Sequence, residues 1–211
     1  VSECQRHWLV RSGVGRTNAA AATMYLHQLL GGGGHIAWLN VGVAGHRDLP
    51  LGTARRVHQI HEASTARRFY PTQVFKSPFK GASLMTVDKP QTIMSDDHLY
   101  DMEGSAVFEL ASRLSSQELV SVVKCVSDHG ADGSTWPEKS VVSQWVADQM
   151  PGLLSTAEGL LEVSAAESVR QAPAHQPSVF DDIHFTVTQG MQIAEGEKLL
   201  KQNRLKLQMI K

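Results

Sequence analysis

The chain has 211 residues, 42% hydrophobic and 19% charged, with a formal net charge of −1 when its ten histidines are neutral. That length and balance suit one globular domain with a buried core and exclude a disordered chain. The near-zero charge removes the electrostatic case for nucleic acid or an anionic membrane as the main partner, and no apolar run is long enough to span a bilayer.

In chain order, "HWLVRSGVG" reads as a short strand entering a glycine turn. "NAAAATMYLHQLL" is rich in strong helix formers, with Asn18 or Thr17 as its cap and Gly31 to Gly34 as its stop. "HIAWLNVGVAG" is a strand apolar on both faces, "ARRVHQIHEAS" another carrying Val57 and Ile60, and "ASLMTVD" a fourth. "YDMEG" stands at a helix start, and "GSAVFELASRL" places Val107, Leu110 and Ala111 on one helix face. "ELVSVVKCVSDHG" is a buried, β-branched strand. "PEKSVVSQWVADQM" and "LLSTAEGLLEV" are amphipathic helices, the first with Pro137 at its opening position.

Residues 1–163 therefore form one α/β domain, residues 164–178 an Ala/Gln/Pro/Ser-rich linker, and residues 179–211 a C-terminal helical extension. The extension carries Leu199, Leu200, Leu205 and Leu207 among basic residues, which suits a docked helix better than a nucleic-acid arm. Cys4 and Cys125 lie far apart in no metal-binding spacing, and "VSECQRHW" lacks a basic-then-apolar leader. These features point to free thiols in a cytoplasmic protein.

Alternating strands and helices imply a largely parallel sheet, whose ligand crevice lies beyond the carboxyl ends of its strands. "SGVG", "GVAG" and "SDHGADG" each follow a strand end, so with "YDMEG" they can converge on one cleft. Gly13 and Gly15 occupy the setting of a phosphate loop, but a third glycine and the acid of a dinucleotide site are missing. Two uses remain for the loop: a capped turn, or a turn whose N–H groups face the cleft with Arg16. His58, His61 and Glu62 follow no metalloprotease pattern, and strand residues three apart point to opposite faces, so no metal is assigned. Asp128 can be a turn former or a general acid. Glu103 can favour the helix dipole or accept hydrogen bonds from a vicinal diol, with Met102 as an adaptable apolar neighbour.

Taken in order, "SGVGRTNAAAA", "NVGVAG", "DMEGSAVFELA" and "VVKCVSDHGAD" resemble the nucleoside phosphorylase and nucleosidase superfamily, particularly the methylthioadenosine/S-adenosylhomocysteine nucleosidases. The resemblance implies a three-layer α/β fold around a twisted, mixed, largely parallel sheet, in a homo-oligomer that is dimeric or larger. It implies cleavage of the N-glycosidic bond of a purine-type nucleoside, without a cofactor. Asp128 then acts as acid toward the base, and Ser127 helps orient it. Glu103 binds the ribose hydroxyls, Met102 packs on the sugar, and Val43, Ala44 and Gly45 form the wall near the ribose. Asp88, Lys89 and Pro90 fall near the segment edging the base.

Four departures accompany the resemblance. The family's N-terminal strand, with the acid that activates water, has no counterpart in the sequence. Val43 replaces a small hydroxyl residue, Lys124 replaces an arginine, and the segment from Asp88 to Glu103 is short and lacks the aromatic residue that stacks on the base. Asn40 stands where hexameric phosphorylases carry an arginine, leaving Arg16 and Arg47 as unplaced substitutes for a phosphate site. Water is therefore expected as nucleophile, with phosphorolysis, or nucleoside binding without turnover, as the alternatives.

Overall fold

β-Branched and apolar runs became strands and alanine-rich runs became helices, so the α/β expectation holds. In the computed structural model, residues 2–4, 7–32, 34–94, 96–130 and 137–171 are described. They fall within one compact unit, Val1–Gln171. A short hairpin, β1 (Ser2–Cys4) with β2 (His7–Leu9), leads to α1 (Arg16–Leu29). Then come β3 (Trp38–Gly45), β4 (Ala54–Glu62), β5 (Arg68–Phe69), β6 (Gly81–Thr86), β7 (His98–Asp101) and α2 (Gly104–Leu114). A 3-10 turn at Gln117–Leu119 enters β8 (Val120–Asp128), followed by α3 (Lys139–Asp148) and α4 (Met150–Gln171). None of the described helices is long and apolar enough to cross a membrane.

The main sheet has the order β5-β4-β6-β7-β3-β8. β3 with β8, β4 with β6, and β6 with β7 run parallel, while β3 with β7 and β4 with β5 run antiparallel. β4 also pairs antiparallel with β8, Ala54 opposite Cys125, so the mixed sheet curls back on itself. Three layers result. Leu26 of α1 with Phe108 and Ala111 of α2 share one core with Val57, Ile60, Leu84, Leu99, Val122 and Val126. On the other face, Val146 of α3 and Leu153 of α4 pack with Ala54 and Val123. β8 is buried on both faces, as its β-branched run predicts.

Local details depart from expectation. Val57 and Ile60 are three apart on one strand yet both fully buried in the same core. The ladder shifts register between Val57 and Gln59, and that irregularity resets the alternation. β3 is not apolar-buried throughout: Val41 and Val43 are exposed, because the α3–α4 cluster takes in Leu39 of that strand face and neither valine. Helix α1 starts two or three residues earlier than its polar residues suggest, with Gly15 as cap, and the Asn18 side chain donates back to the Val14 carbonyl at 2.7 Å. Pro137 precedes α3 rather than opening it, since Glu138 is its cap. α4 continues to Gln171, through the first part of the segment expected as linker. The rest of that segment and the C-terminal extension lie outside the described residues, as does the side chain of Cys4. Cys125 is a buried free thiol whose pKa is pushed up by burial, then by Asp148.

Candidate functional site

The ends of three strands meet at Gly45. It lies opposite Asp128 of β8 on one side and Tyr100 of β7 on the other. Neighbouring strands lie about 4.8 Å apart, so the main chains of Asp128 and Tyr100 stand within roughly 10 Å of each other. The edge continues through Asp101, Thr86 and Glu62, paired in turn at the carboxyl ends of β7, β6 and β4. The crevice rule therefore places the site here, and this edge brings together Asp128 and the Tyr100–Glu103 stretch.

Asp128 is held on every side. The β3–β8 ladder slips between Ala44 and Gly45, leaving Ser127 as an extra residue that re-aims the strand end. The Ser127 hydroxyl donates to Asp128 Oδ2 at 2.8 Å, and the Gly130 N–H donates to Oδ1 at 3.0 Å. The His46 N–H donates to the Asp128 carbonyl at 2.9 Å. Gly45 must be glycine for a steric reason: a Cβ there would stand 2.0 Å from Met94 Cε and 2.8 Å from Asp128 Oδ1. Met94 can swing aside but the anchored carboxylate cannot. Gly45→Ala is therefore expected to destabilise the protein by about 1–3 kcal/mol and to displace Asp128. Melting curves of Gly45→Ala, alone and with Met94→Ala, check this; full recovery in the double variant would remove Asp128 from the clash.

The "YDMEG" stretch divides by role. Tyr100 and Asp101 end β7 rather than starting a helix. Asp101 is fully buried and pairs with Lys124 Nζ at 2.8 Å, itself buried. Its second oxygen accepts the Thr86 hydroxyl at 2.7 Å, and the Gly104 N–H donates to the first at 2.7 Å. The Ser105 N–H donates to Thr86 Oγ1 at 3.0 Å. Asp101 and Thr86 thus satisfy the first N–H groups of α2, while Glu103 occupies the cap position without capping. Glu103 turns instead toward the glycine loop. Gly15, with φ of 94°, donates its N–H to Oε1 at 2.6 Å, and the Met102 N–H reaches Oε2 at 3.3 Å. Each carboxylate oxygen holds one backbone donor and keeps a further lone pair for a ligand.

A cleft of about 360 Å³ opens beside Glu103, lined by Val14, Gly15, Arg16, Asn18, Asp88 and Met102, among others. Arg16 spans it, pairing with the buried Glu62 through Nη1 and with Asp88 through Nη2 at 2.6 Å. Glu62 also accepts Arg67 at 2.6 Å. Gly13 has φ of 81° and shapes the same loop. Ala44 is buried beneath the edge, whereas Val43 is 39% exposed. Lys89 and Pro90 are exposed beyond Asp88. Arg47 pairs with Asp48 at 2.6 Å. A second cavity of about 420 Å³, lined by Arg67, Phe69, Tyr70, Phe108 and Arg113 with others, holds none of the residues predicted from sequence.

Sequence reasoning passed over His46, whose N–H reaches the Asp128 carbonyl, and Thr92, Met94 and Asp97, which lie against Gly130, Gly45 and His46. The one signal available was His46 itself, an imidazole directly after a strand-ending glycine. Beside Asp97, Asp96 accepts the Tyr100 hydroxyl at 2.7 Å. Burial pushes the Asp96 carboxyl up, but hydrogen bonds from Tyr100 and His98 hold it below the usual carboxylate value.

This architecture, a curled mixed sheet between two helical layers with its acids at the strand ends, is the nucleoside phosphorylase-like α/β fold. Within it, the chain resembles the methylthioadenosine/S-adenosylhomocysteine (MTA/SAH) nucleosidases. The crystal structure of an MTA/SAH nucleosidase aligns with a TM-score of 0.51 and 17% identity, over 72% of this chain and 70% of that one. The enzyme from Colwellia psychrerythraea 34H in complex with adenine gives 0.49 and 18%, over 64% and 69%. The 5'-methylthioadenosine nucleosidase of Arabidopsis thaliana gives 0.46 and 21%, over 78% and 72%. In sequence, no family model and no curated protein matches the chain.

Proposed function

We propose that the protein cleaves the N-glycosidic bond of a purine-type nucleoside by hydrolysis. The observation that carries this reading is that Gly45 pairs with Asp128 on one side and, on the other, with Tyr100, three residues before Glu103. Bond cleavage builds negative charge on the departing base and positive charge on the ribose. Asp128, aimed by Ser127 and Gly130, would donate a proton or hydrogen bond to the base. Glu103, steadied by Gly15, would accept the ribose hydroxyls and stabilise the cationic sugar, with Met102 against its apolar face. Their different settings allow the two carboxylates different protonation states. The likeness in fold to an MTA/SAH nucleosidase supports the same chemistry.

The ion pairs of two arginines support water over phosphate as nucleophile. Arg16 is engaged by Glu62 and Asp88, and Arg47 by Asp48, so neither guanidinium is left uncompensated for an oxyanion. The same reading carries a cytoplasmic homodimer. Free base is assayed after incubation with a panel of purine nucleosides, with and without phosphate. Release in phosphate-free buffer is the expected result. Release that strictly requires phosphate would make the reaction phosphorolysis, and tight binding without release would make the protein a nucleoside binder.

A further inference from the structure

From the geometry around His46 we infer that this residue positions Asp128 for proton transfer, an inference that rests on the reading of Asp128 as the acid toward the base. His46 is 2% exposed, and its four polar atoms are all engaged. Its N–H donates to the Asp128 carbonyl at 2.9 Å. Its own carbonyl accepts His129 Nδ1–H at 2.8 Å, which pins the residue after the acid. Its ring Nδ1 accepts the N–H groups of Asp48 and Leu49, both at 3.0 Å. Nδ1 is thereby an acceptor, the ring proton sits on Nε2, and Nε2–H donates to Asp97 Oδ1 at 3.1 Å.

Asp97 belongs to the connection between β6 and β7, which passes beside glycines next to the acid. Met94, 6% exposed, lies against Gly45, and the Thr92 carbonyl lies so close to Gly130 that a Cβ there would fall 2.6 Å away. Gly45 and Gly130 both flank Asp128 in space. The His46–Asp97 hydrogen bond therefore joins the acid's main chain to that connection. A side chain serving only the Asp48–Leu49 turn would need Nδ1 alone; Nε2 adds the tether. Its chemical consequence is a fixed main chain at Asp128, so that the carboxyl meets the leaving group in one orientation.

Asparagine reproduces the Nδ1 acceptor of histidine but not Nε2, so His46→Asn keeps the turn and loses the tether. Asp97→Ala removes the same tether from a carboxylate that is 89% exposed. Both variants, and the double variant, are assayed on a purine nucleoside and on p-nitrophenyl riboside, whose leaving group departs without protonation. The expected result is a loss of about tenfold in kcat on the purine nucleoside with KM nearly unchanged, no loss on the nitrophenyl riboside, and no further loss in the double variant. Equal losses on both substrates, or no loss on either, would overturn the role. If His46→Asn misfolds, the same comparison made with Asp97→Ala alone upholds or overturns the tether. An Asp128→Asn control that fails to spare the nitrophenyl riboside sinks the acid assignment instead. Should the wild-type protein turn over neither substrate, the reading of Asp128 as the acid falls, and the positioning role of His46 falls with it.

Discussion

Asp128→Asn is expected to lower release of purine base by roughly 10²–10⁴-fold, the range spanned by a positioned general acid. Asparagine keeps the size of the side chain and an oxygen that can still accept the Ser127 hydroxyl or the Gly130 N–H. It loses the transferable proton. Nucleoside affinity should therefore change little while kcat collapses, the pattern of an interaction used chiefly in the transition state. Single-turnover base release and calorimetric binding separate the two quantities. Unchanged release would remove Asp128 from the chemistry, and a parallel loss of binding would mean that it holds the ground state.

Lys124→Met should destabilise the fold by about 3–5 kcal/mol, the cost of leaving one partner of a buried ion pair uncompensated. For a unit of this size each kcal/mol moves the melting temperature by roughly 2–4 °C, so a drop of about 10 °C is expected. Asp101 would remain buried with donors only from Thr86 and Gly104. Adding Asp101→Asn removes the stranded charge and keeps an acceptor for those donors, so the double variant should recover much of the loss. A single variant that melts within about 2 °C of wild type would show the pair to be energetically idle. The pair also matters for the site, because Asp101 anchors the start of α2 and Met102 and Glu103 stand between that anchor and the helix. Lys124 thus stabilises the turn that presents Glu103 without reaching the ligand.

Much of the fold was legible because burial leaves a period in the sequence. β8 is β-branched and buried on both faces, β3 and β4 end in glycine or acid, and α1 is an alanine run stopped by glycines. What escaped was an element whose pattern is broken by a buried charge. β7, His98–Asp101, alternates half-buried and buried residues, but its last inward residue is an aspartate. Nothing local reveals that Lys124, on another strand, compensates that charge. The partners that hold Asp101 and Glu103 in their different settings could not be read from the sequence.

By itself the sequence determined the α/β class, the positions of the glycine turns and the two carboxylates worth watching, since those depend on residue type and short-range spacing. Only the tertiary structure decided which glycine faces which acid. Gly45 meets Asp128 and Tyr100, and Gly15 meets Glu103, through strand pairings and a loop contact between residues far apart in the chain. It also engaged Arg16 with Glu62 and Asp88, and it placed His46 between Asp128 and Asp97. Such contacts are set by how the sheet curls and where its register slips. Those are properties of the packed whole, for which no single stretch of sequence carries a signal.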